Sequence, residues 1–488
     1  MPIYKITLNK FYGGVADDIV APNAAEYAGA VGLDDLTQSG RLSPYRSYVD
    51  RSTGGSNLRR VVMGSDGTVY ALGEVSGANA STTVYTKTAL SDASWTLSAS
   101  ASVGNAQSQA FAEDGNYFYS WDSNGAIDRY SIRDASFENG WQNPSGATSN
   151  NVGPIFHHSN GNTYFAYGNI IAEWDRTTFT AIALDLPPGF QIIDLTEQNS
   201  YLVIAAAWGE PITSTFNPNK SKVFFWDTVN TSTYQFAKSI PEGTIIACQN
   251  IGDEIAVISL LSGGGLSQDG KAFAYTYNGG QFQLQKKLIV PQNTDSSGFA
   301  FRGQHIQVKN NQLYFVFNLG GVKGVWRFGK NNGVYCLKRD RFLVNVTDDT
   351  DFDQIRTDAA IGFIGDYLCA ITAVGTFVCM TNANTYSATG YYESPVIGGG
   401  KQYETKDLLS VAIVTRGLPA SASVLVRYRV DAESSWTTIG THSSGVFSEF
   451  ADELPKGWNL IQFRLETTGN AEITELTALY ESRLNIKL

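Results

Sequence analysis

The feature that constrains this chain most is a short hairpin pattern that returns at a steady interval. In Ser159–Asp175, Asn160-Gly161 supplies a turn whose glycine tolerates positive φ, and Thr163 to Tyr167 is a β-branched and aromatic run. Gly168-Asn169 then turns again, and Ile170 to Trp174 forms a second short strand. An isolated hairpin is marginally stable in water, so its apolar side chains require neighbours. Repetition supplies them. Val69 to Leu72 follows Asp66-Gly67, Tyr117 to Trp121 follows Asp114-Gly115, and Tyr201 to Ile204 follows Asn199-Ser200. Ile255 to Ile258 follows Gly252-Asp253, Tyr314 to Phe317 follows Asn310-Asn311, and Tyr367 to Ala370 follows Gly365-Asp366. The next strand of each copy ends on an aromatic, Tyr85, Tyr130, Trp174, Trp226, Tyr277, Trp326 and Phe377, at intervals of about 44 to 52 residues.

A period near fifty with four short strands per copy predicts the blades of a β-propeller. In the fourth copy the expected strands are Gln191 to Leu195, Tyr201 to Ala207, Lys222 to Trp226 and Tyr234 to Ser239. The innermost strand of a blade is expected just before the turn, as in Gln107 to Ala112, Gly153 to His158 and Ile245 to Gln249. Seven blades over residues 57–390 would close on themselves and remove the long sheet edges that invite aggregation. The strand-ending aromatics are read as packing between blades. Trp174-Asp175 and Trp226-Asp227 lack the Gly-His partner of Trp-Asp repeats.

The flanks have a different texture. Residues 1–56 hold one alternating run, Ile3 to Leu8, followed by glycine- and alanine-rich stretches, which predicts an extended arm with too little periodic apolar surface for a core. Residues 391–488 read as an antiparallel β-sandwich with strands at Leu408 to Thr415, Ala422 to Val430, Trp436 to Thr438, Phe447 to Phe450, Leu460 to Glu466 and Ile473 to Tyr480. Gly398-Gly399-Gly400 marks a hinge. The fold class is therefore all-β throughout. Aromatics at 12%, 48 glycines and only 17% charged residues suit short strands and turns and are poor material for surface helices.

A net charge of −11 argues against specific nucleic-acid binding, since Lys338-Arg339-Asp340-Arg341 is the one basic run and reads as a solvated turn. The N-terminus lacks the pattern of a signal peptide and no run of about 18 apolar residues occurs, so no membrane insertion is expected. Cys248, Cys336, Cys369 and Cys379 lie in apolar runs without a Cys-x-x-Cys pair and are read as buried free thiols.

The search for reactive groups assigns no catalytic, cofactor-binding or metal-binding residue, and no cofactor. Adjacent His157 and His158 point to opposite faces of a strand and cannot share one ion, while His305 and His442 are isolated. No Gly-x-Ser-x-Gly elbow is present. A glycosidase needs two carboxylates, but no sequence rule says which Asp or Glu would meet at a propeller mouth. Ser267-Gln268-Asp269-Gly270-Lys271-Ala272-Phe273 approaches a sialidase Asp box without its Trp. Residues Asp348-Asp349-Thr350-Asp351-Phe352-Asp353 offer oxygen ligands for calcium but lack the glycine and final Glu of an EF-hand loop, so a solvated acidic loop is the reading and calcium stays open. Gly263-Gly264-Gly265 has no following Lys-Ser/Thr to hold phosphate.

The opening strand, Phe11-Tyr12-Gly13-Gly14-Val15-Ala16-Asp17, the line Gly32-Leu33-Asp34-Asp35-Leu36 and the step Gly40-Arg41-Leu42-Ser43-Pro44 together resemble the openings of structural proteins from tailed-bacteriophage tails. The stretch Tyr391-Tyr392-Glu393-Ser394-Pro395-Val396-Ile397, leading to Val426-Arg427-Tyr428-Arg429 and Trp436-Thr437, resembles the terminal sandwich that follows the propeller in such proteins. The resemblance implies a non-enzymatic structural component of the virion tail, made in the host cytoplasm, at the nozzle, tip or adsorption apparatus. Its partners would be other virion tail proteins in a homo-oligomeric ring, and a host-surface glycan is a further candidate. The alternatives are a carbohydrate-binding or glycan-hydrolysing propeller and an intracellular scaffold for partner proteins.

Overall fold

The computed structural model describes residues 3–11, 27–34, 41–45, 48–51, 54–55, 58–75, 81–92, 94–100, 107–122, 124–148, 151–208, 220–229, 233–261, 270–290, 306–319, 322–331, 333–341, 360–371, 377–380, 389–398 and 404–483. Strands are the regular structure throughout these residues. The chain divides into two compact units, one comprising Val49–Gly324 and Asn345–Met380, the other Met1–Tyr48, Val325–Val344 and Thr381–Leu488.

The first unit is a propeller-type array of four-stranded antiparallel sheets. The first sheet runs Leu58–Met63, Val69–Val75, Ser81–Lys87, Thr96–Ser100, and the second Gln107–Glu113, Tyr117–Trp121, Ile127–Ser131, Ser136–Gln142. The third runs Val152–His157, Thr163–Tyr167, Ile170–Trp174, Phe179–Asp185, and the fourth Phe190–Gln198, Tyr201–Trp208, Ser221–Trp226, Phe236–Ser239. Thr244–Asn250, Ile255–Leu261, Gly270–Tyr277 and Gln283–Val290 make the fifth, and a hairpin of Ile306–Lys309 with Gln312–Leu319 follows. The closing sheet combines Ala360–Ile364, Tyr367–Ile371 and Phe377–Met380 with Tyr48–Asp50, a strand from far upstream. Ala360–Ile364 packs against Leu58–Met63, so closely that a Cβ on Gly362 would lie 2.7 Å from the Val61 carbonyl oxygen.

The hairpin Thr163–Tyr167/Ile170–Trp174 has the bounds expected from its turns, with Gly161 at φ +91° and Gly168 at φ +56°. Asn199 and Ser200 hold the same left-handed region without glycine, at φ +50° and +65°. The strand-ending aromatics do pack between sheets. Tyr130 meets Tyr70, Trp174 meets Trp141, Trp226 meets Tyr164 and Tyr277 meets Phe225, with ring centroids 4.8–6.1 Å apart. Tyr85 joins Ile364, Cys369 and Ile371 of the closing sheet. Trp226 is fully buried, whereas Trp174 is half-buried. Trp326 is buried within the other unit. The Phe377 side chain lies outside the described residues.

The second unit is a β-sandwich assembled from both ends of the chain. One sheet has the order Ile3–Leu8, Ile473–Arg483, Thr405–Thr415, Phe447–Phe450, and the other Gly29–Val31, Thr389–Glu393, Ile461–Thr468, Ser423–Val430, Thr437–His442. Val411, Ile413, Leu476 and Ala478 of the first sheet face Tyr392, Val424, Val426, Phe463 and Leu465 of the second in one core. The opening residues are thus not a loose arm. Ile6, Phe11, Tyr27, Leu33 and Leu42 lie in that core, and Ile3–Leu8 pairs in unbroken register with Glu481–Leu476. The alternation of Ile3 to Leu8 is a strand as expected, and what it could not disclose is the partner at the far end of the chain that brings it into the core. Lys338 corrects a second expectation. It sits on the strand Val334–Arg341, buried, with its ammonium donating to the Leu33 carbonyl at 3.2 Å and 5.8 Å above the Tyr45 ring. The flanking charges had read as a turn, but a long aliphatic stem can be buried while the ammonium is satisfied by a carbonyl and a ring.

Two stability measurements check this packing. Phe11→Ala, which removes a ring meeting Tyr392 edge-on at 5.1 Å, is expected to cost the sandwich about 3–5 kcal/mol. A wild-type urea midpoint would return residues 3–11 to the status of a detached arm. Trp226→Ala should likewise cost about 3–5 kcal/mol, with Trp174→Ala costing clearly less because its ring is half in solvent. Equal midpoint shifts for the two variants would contradict their different burial.

Candidate functional site in the inner strands

The innermost strands of the propeller unit share a deviation that alternation alone does not disclose. Against its neighbour, each of the first five carries a register shift, between Leu58 and Arg60, Gln107 and Ala112, Val152 and Ile155, Ile192 and Asp194, and Ile245 and Ala247. A β-bulge adds a residue and re-aims the next side chain. At equivalent places in the first and fourth sheets the re-aimed residues are Arg60 and Asp194, opposite charges that act on one another. Burial pushes the Arg60 guanidinium down to about 10, its Nε enclosed without a hydrogen bond.

Asp194 is 2% exposed, and burial pushes its carboxyl up to about 7, against the pull of its donors and of Arg60. Cys248 N donates to Oδ2 at 2.8 Å, Gln249 Nε2 to both oxygens at 2.9 Å, and Leu195 N to Oδ1 at 3.0 Å. The carboxyl therefore joins the fourth innermost strand to the fifth, and its oxygens are taken up by protein donors rather than turned toward a substrate. Beside it, burial and the Asp194 charge push the Cys248 thiol up.

A second layer of polar contacts runs through the turns after these strands. Ser65 N donates to Glu113 Oε1 at 2.8 Å, and in the same way Ser159 N donates to Glu197 Oε2 at 2.9 Å, with the Ser159 hydroxyl on the other Glu197 oxygen. Asn250 Nδ2 donates to the Glu197 carbonyl at 2.7 Å and Gln198 Nε2 to the Asp253 carbonyl at 3.1 Å. Lys309 Nζ reaches the Gly365 carbonyl at 2.7 Å and Asp366 at 3.2 Å. In two of the turns an aspartate is tied to the strand that follows it, as Tyr70 OH donates to Asp66 at 2.8 Å and Tyr119 OH to Asp114 at 2.7 Å. Asn160 Nδ2 donates to Tyr164 OH at 2.8 Å in the equivalent turn. The bonds of Ser65, Ser159, Asn250, Gln198 and Lys309 carry one sheet into the next.

The reactive-group candidates are absorbed by the same architecture. His158 is buried, its Nδ1 accepting from Asn160 N at 3.1 Å and its Nε2 lying 3.8 Å from Glu197, while His157 meets Thr163 Oγ1 at 3.1 Å. Burial pushes the His157 imidazole down. His442, in the sandwich, lies between Thr415 Oγ1 at 2.9 Å and Ser448 Oγ at 2.7 Å. All four cysteines are buried free thiols. His305, Gly263-Gly264-Gly265, Ser267 to Asp269 and the acidic run 348–353 lie outside the described residues, and Gly270 to Phe273 falls within a strand. Among the described residues no three His, Cys, Asp or Glu side chains converge as metal ligands. A second buried carboxyl, Asp128, is pushed up to about 6 by burial and by the Asp122 charge, but it accepts from Gly140 N at 2.7 Å and belongs to the second sheet.

Two aromatic surfaces stand apart from this stitching. In the propeller unit the Arg129 guanidinium lies 4.4 Å from the Tyr117 ring and 4.5 Å from that of Trp141, which meets Trp174 and Phe179. In the sandwich Arg464 stands 4.2 Å over Tyr391 and pairs with Glu393, while Arg429 covers Trp436 at 4.5 Å.

No family model matches this sequence, and no curated protein matches it. Among solved structures, a chain of the mitotic checkpoint complex is 12% identical over 70% of this chain and 94% of its own, with a TM-score of 0.41. The N-terminal domain of Nup159 is 10% identical over 75% and 98%, with a TM-score of 0.43. An exo-β-1,3-galactanase from Phanerochaete chrysosporium with β-1,3-galactotriose is 12% identical over 89% and 99%, with a TM-score of 0.31. At these TM-scores the likenesses carry no argument about activity, ligand or partner.

The buried Asp194 sets a pH dependence whose sign follows from linkage. Its folded value of about 7 lies above the ordinary carboxyl value of 3.8, so the folded state retains a proton that the unfolded chain has released. Stability is therefore expected to fall as pH rises from about 4 to about 7 and then to level off. Asp194→Asn should lose that component. Urea midpoints of both proteins across this range measure it, and parallel pH profiles would show that the Asp194 carboxyl is already ionised in the folded state over this range, its value not raised.

Proposed function

We propose that this protein is a non-enzymatic structural component of a tailed-phage virion, placed in the tail at the nozzle, tip or adsorption apparatus, with a propeller of seven blades as a rigid body. The observation that supports this reading best is the order of parts. A sandwich with strands from the leader (Ile3–Leu8, Gly29–Val31) and from the C-terminal stretch (Thr389–Glu393 to Ile473–Arg483) flanks the propeller stretch in the chain, an order of leader, propeller and terminal sandwich that resembles such tail proteins. The inner-strand polar groups agree with a scaffold, because Asp194, Glu113 and Glu197 hold sheets together. On this reading the partners are other tail proteins and further copies of the chain in a ring, and assembly follows synthesis in the host cytoplasm.

A glycan-binding or glycan-hydrolysing propeller is the second reading, favoured by the half-buried Tyr117 and Trp141 beside Arg129 with Trp174 against Trp141, since aromatic side chains stack on sugars. Electron microscopy of the purified protein and mass spectrometry of phage particles decide the first reading. A closed ring and presence in virions are expected, and a strict monomer missing from virions would end it. For the second, saturable binding on a glycan array that Trp141→Ala abolishes would be required.

A further inference from the structure

Cys369 and Cys379 stand directly opposite each other where Tyr367–Ile371 pairs with Phe377–Met380. Opposed residues of an antiparallel ladder have Cα atoms about 4.5–5.5 Å apart, inside the about 4.4–6.8 Å that a disulfide spans. Both are unbridged, buried thiols, and the Cys369 Sγ–H donates to the Tyr367 carbonyl at 3.8 Å. The residues around them come from both ends of the propeller unit: Leu58, Val61 and Tyr85 from the first sheet, Ile364 and Ile371 from the last. The pair therefore lies at the seam where the last sheet meets the first, in the sheet whose fourth strand is the upstream Tyr48–Asp50. Cys248 and Cys336 lie on other strands, Thr244–Asn250 and Val334–Arg341.

We propose that Cys369 and Cys379 form a reversible disulfide that staples the closing sheet under oxidising conditions. The oxidant is a low-molecular-weight disulfide. One cysteine thiolate attacks it, a mixed disulfide forms and one small thiol leaves; the second cysteine then attacks the protein sulfur of that mixed disulfide and expels the other small thiol. The two cysteines lose two protons and two electrons to form one S–S bond, and the oxidant's S–S bond is reduced to two thiols. Burial holds the Cys369 thiol in its protonated form, so exchange proceeds through transient opening of the seam and is slow in the native state.

The test incubates the full chain with oxidised glutathione in sub-denaturing urea, returns it to buffer, and counts thiols after complete unfolding. The four thiols should fall to two, peptide mapping should link 369 to 379, and Tm should rise over that of the reduced protein and revert with dithiothreitol. Cys369→Ser should abolish the link and Cys248→Ser should keep it. Should either variant fail to fold, the wild-type map and Tm decide alone. Four remaining thiols, glutathione retained on Cys369 or Cys379, or a lower Tm in the oxidised protein would each overturn the proposal.

Discussion

Every sheet of the propeller unit has two faces to cover, and this constraint governs most of its side chains. A four-stranded sheet of this size cannot keep Tyr164, Phe165, Ala166 and Ile171 dry by itself, yet all four are buried. Neighbouring sheets do the covering. Tyr164 and Ala166 pack with Leu202, Ile204 and Trp226 of the next sheet, while Phe165 and Tyr167 pack with Tyr119 and Trp121 of the one before. Alternate residues of one strand thus belong to two different cores, as period-two geometry requires. The half-burial of Trp174 follows from its position at the outer margin of that contact, beside Trp141, Tyr119 and Phe179.

Polar groups are organised around the same seams. Removing a carboxylate from water is costly unless donors replace the solvent, and Asp194 meets four hydrogen bonds from three groups in two strands. Even so its carboxyl stays at about 7, which says that desolvation outweighs the donors and the nearby Arg60. A raised carboxyl in a propeller invites a catalytic reading. Here the surroundings point to connection between strands, because its hydrogen-bond partners are backbone and amide groups of the protein.

The two units were unequally legible. Asn160-Gly161 and Gly168-Asn169 bracket the third sheet's central hairpin so tightly that its bounds follow from local turn chemistry. The sandwich strands Phe447–Phe450 and Ile473–Arg483 were legible from alternation. The leader was not. Ile3–Leu8 and Gly29–Val31 are short edge strands whose partners are Ile473–Arg483 and Thr389–Glu393, hundreds of residues away, and no local pattern reports a distant partner. The same holds for Tyr48–Asp50, three residues that complete the closing sheet. Lys338 misled for a related reason: charge marks solvent only until a specific carbonyl and ring are in place to receive it.

The inner-strand site was the least visible. Bulges at Arg60 and Asp194 break the alternation on which strand reading rests, and the meeting of two strands' residues depends on how sheets stack. By itself, the sequence determined that this chain folds into repeated short antiparallel strands with aromatic seams and a terminal sandwich, because turns and alternation act over a few residues. Only the tertiary structure decided that the leader belongs to the sandwich core, that Asp194 bonds Cys248 and Gln249, and that Cys369 faces Cys379 across a seam. Those contacts join segments far apart in the chain, and their free energy exists only once the sheets have packed.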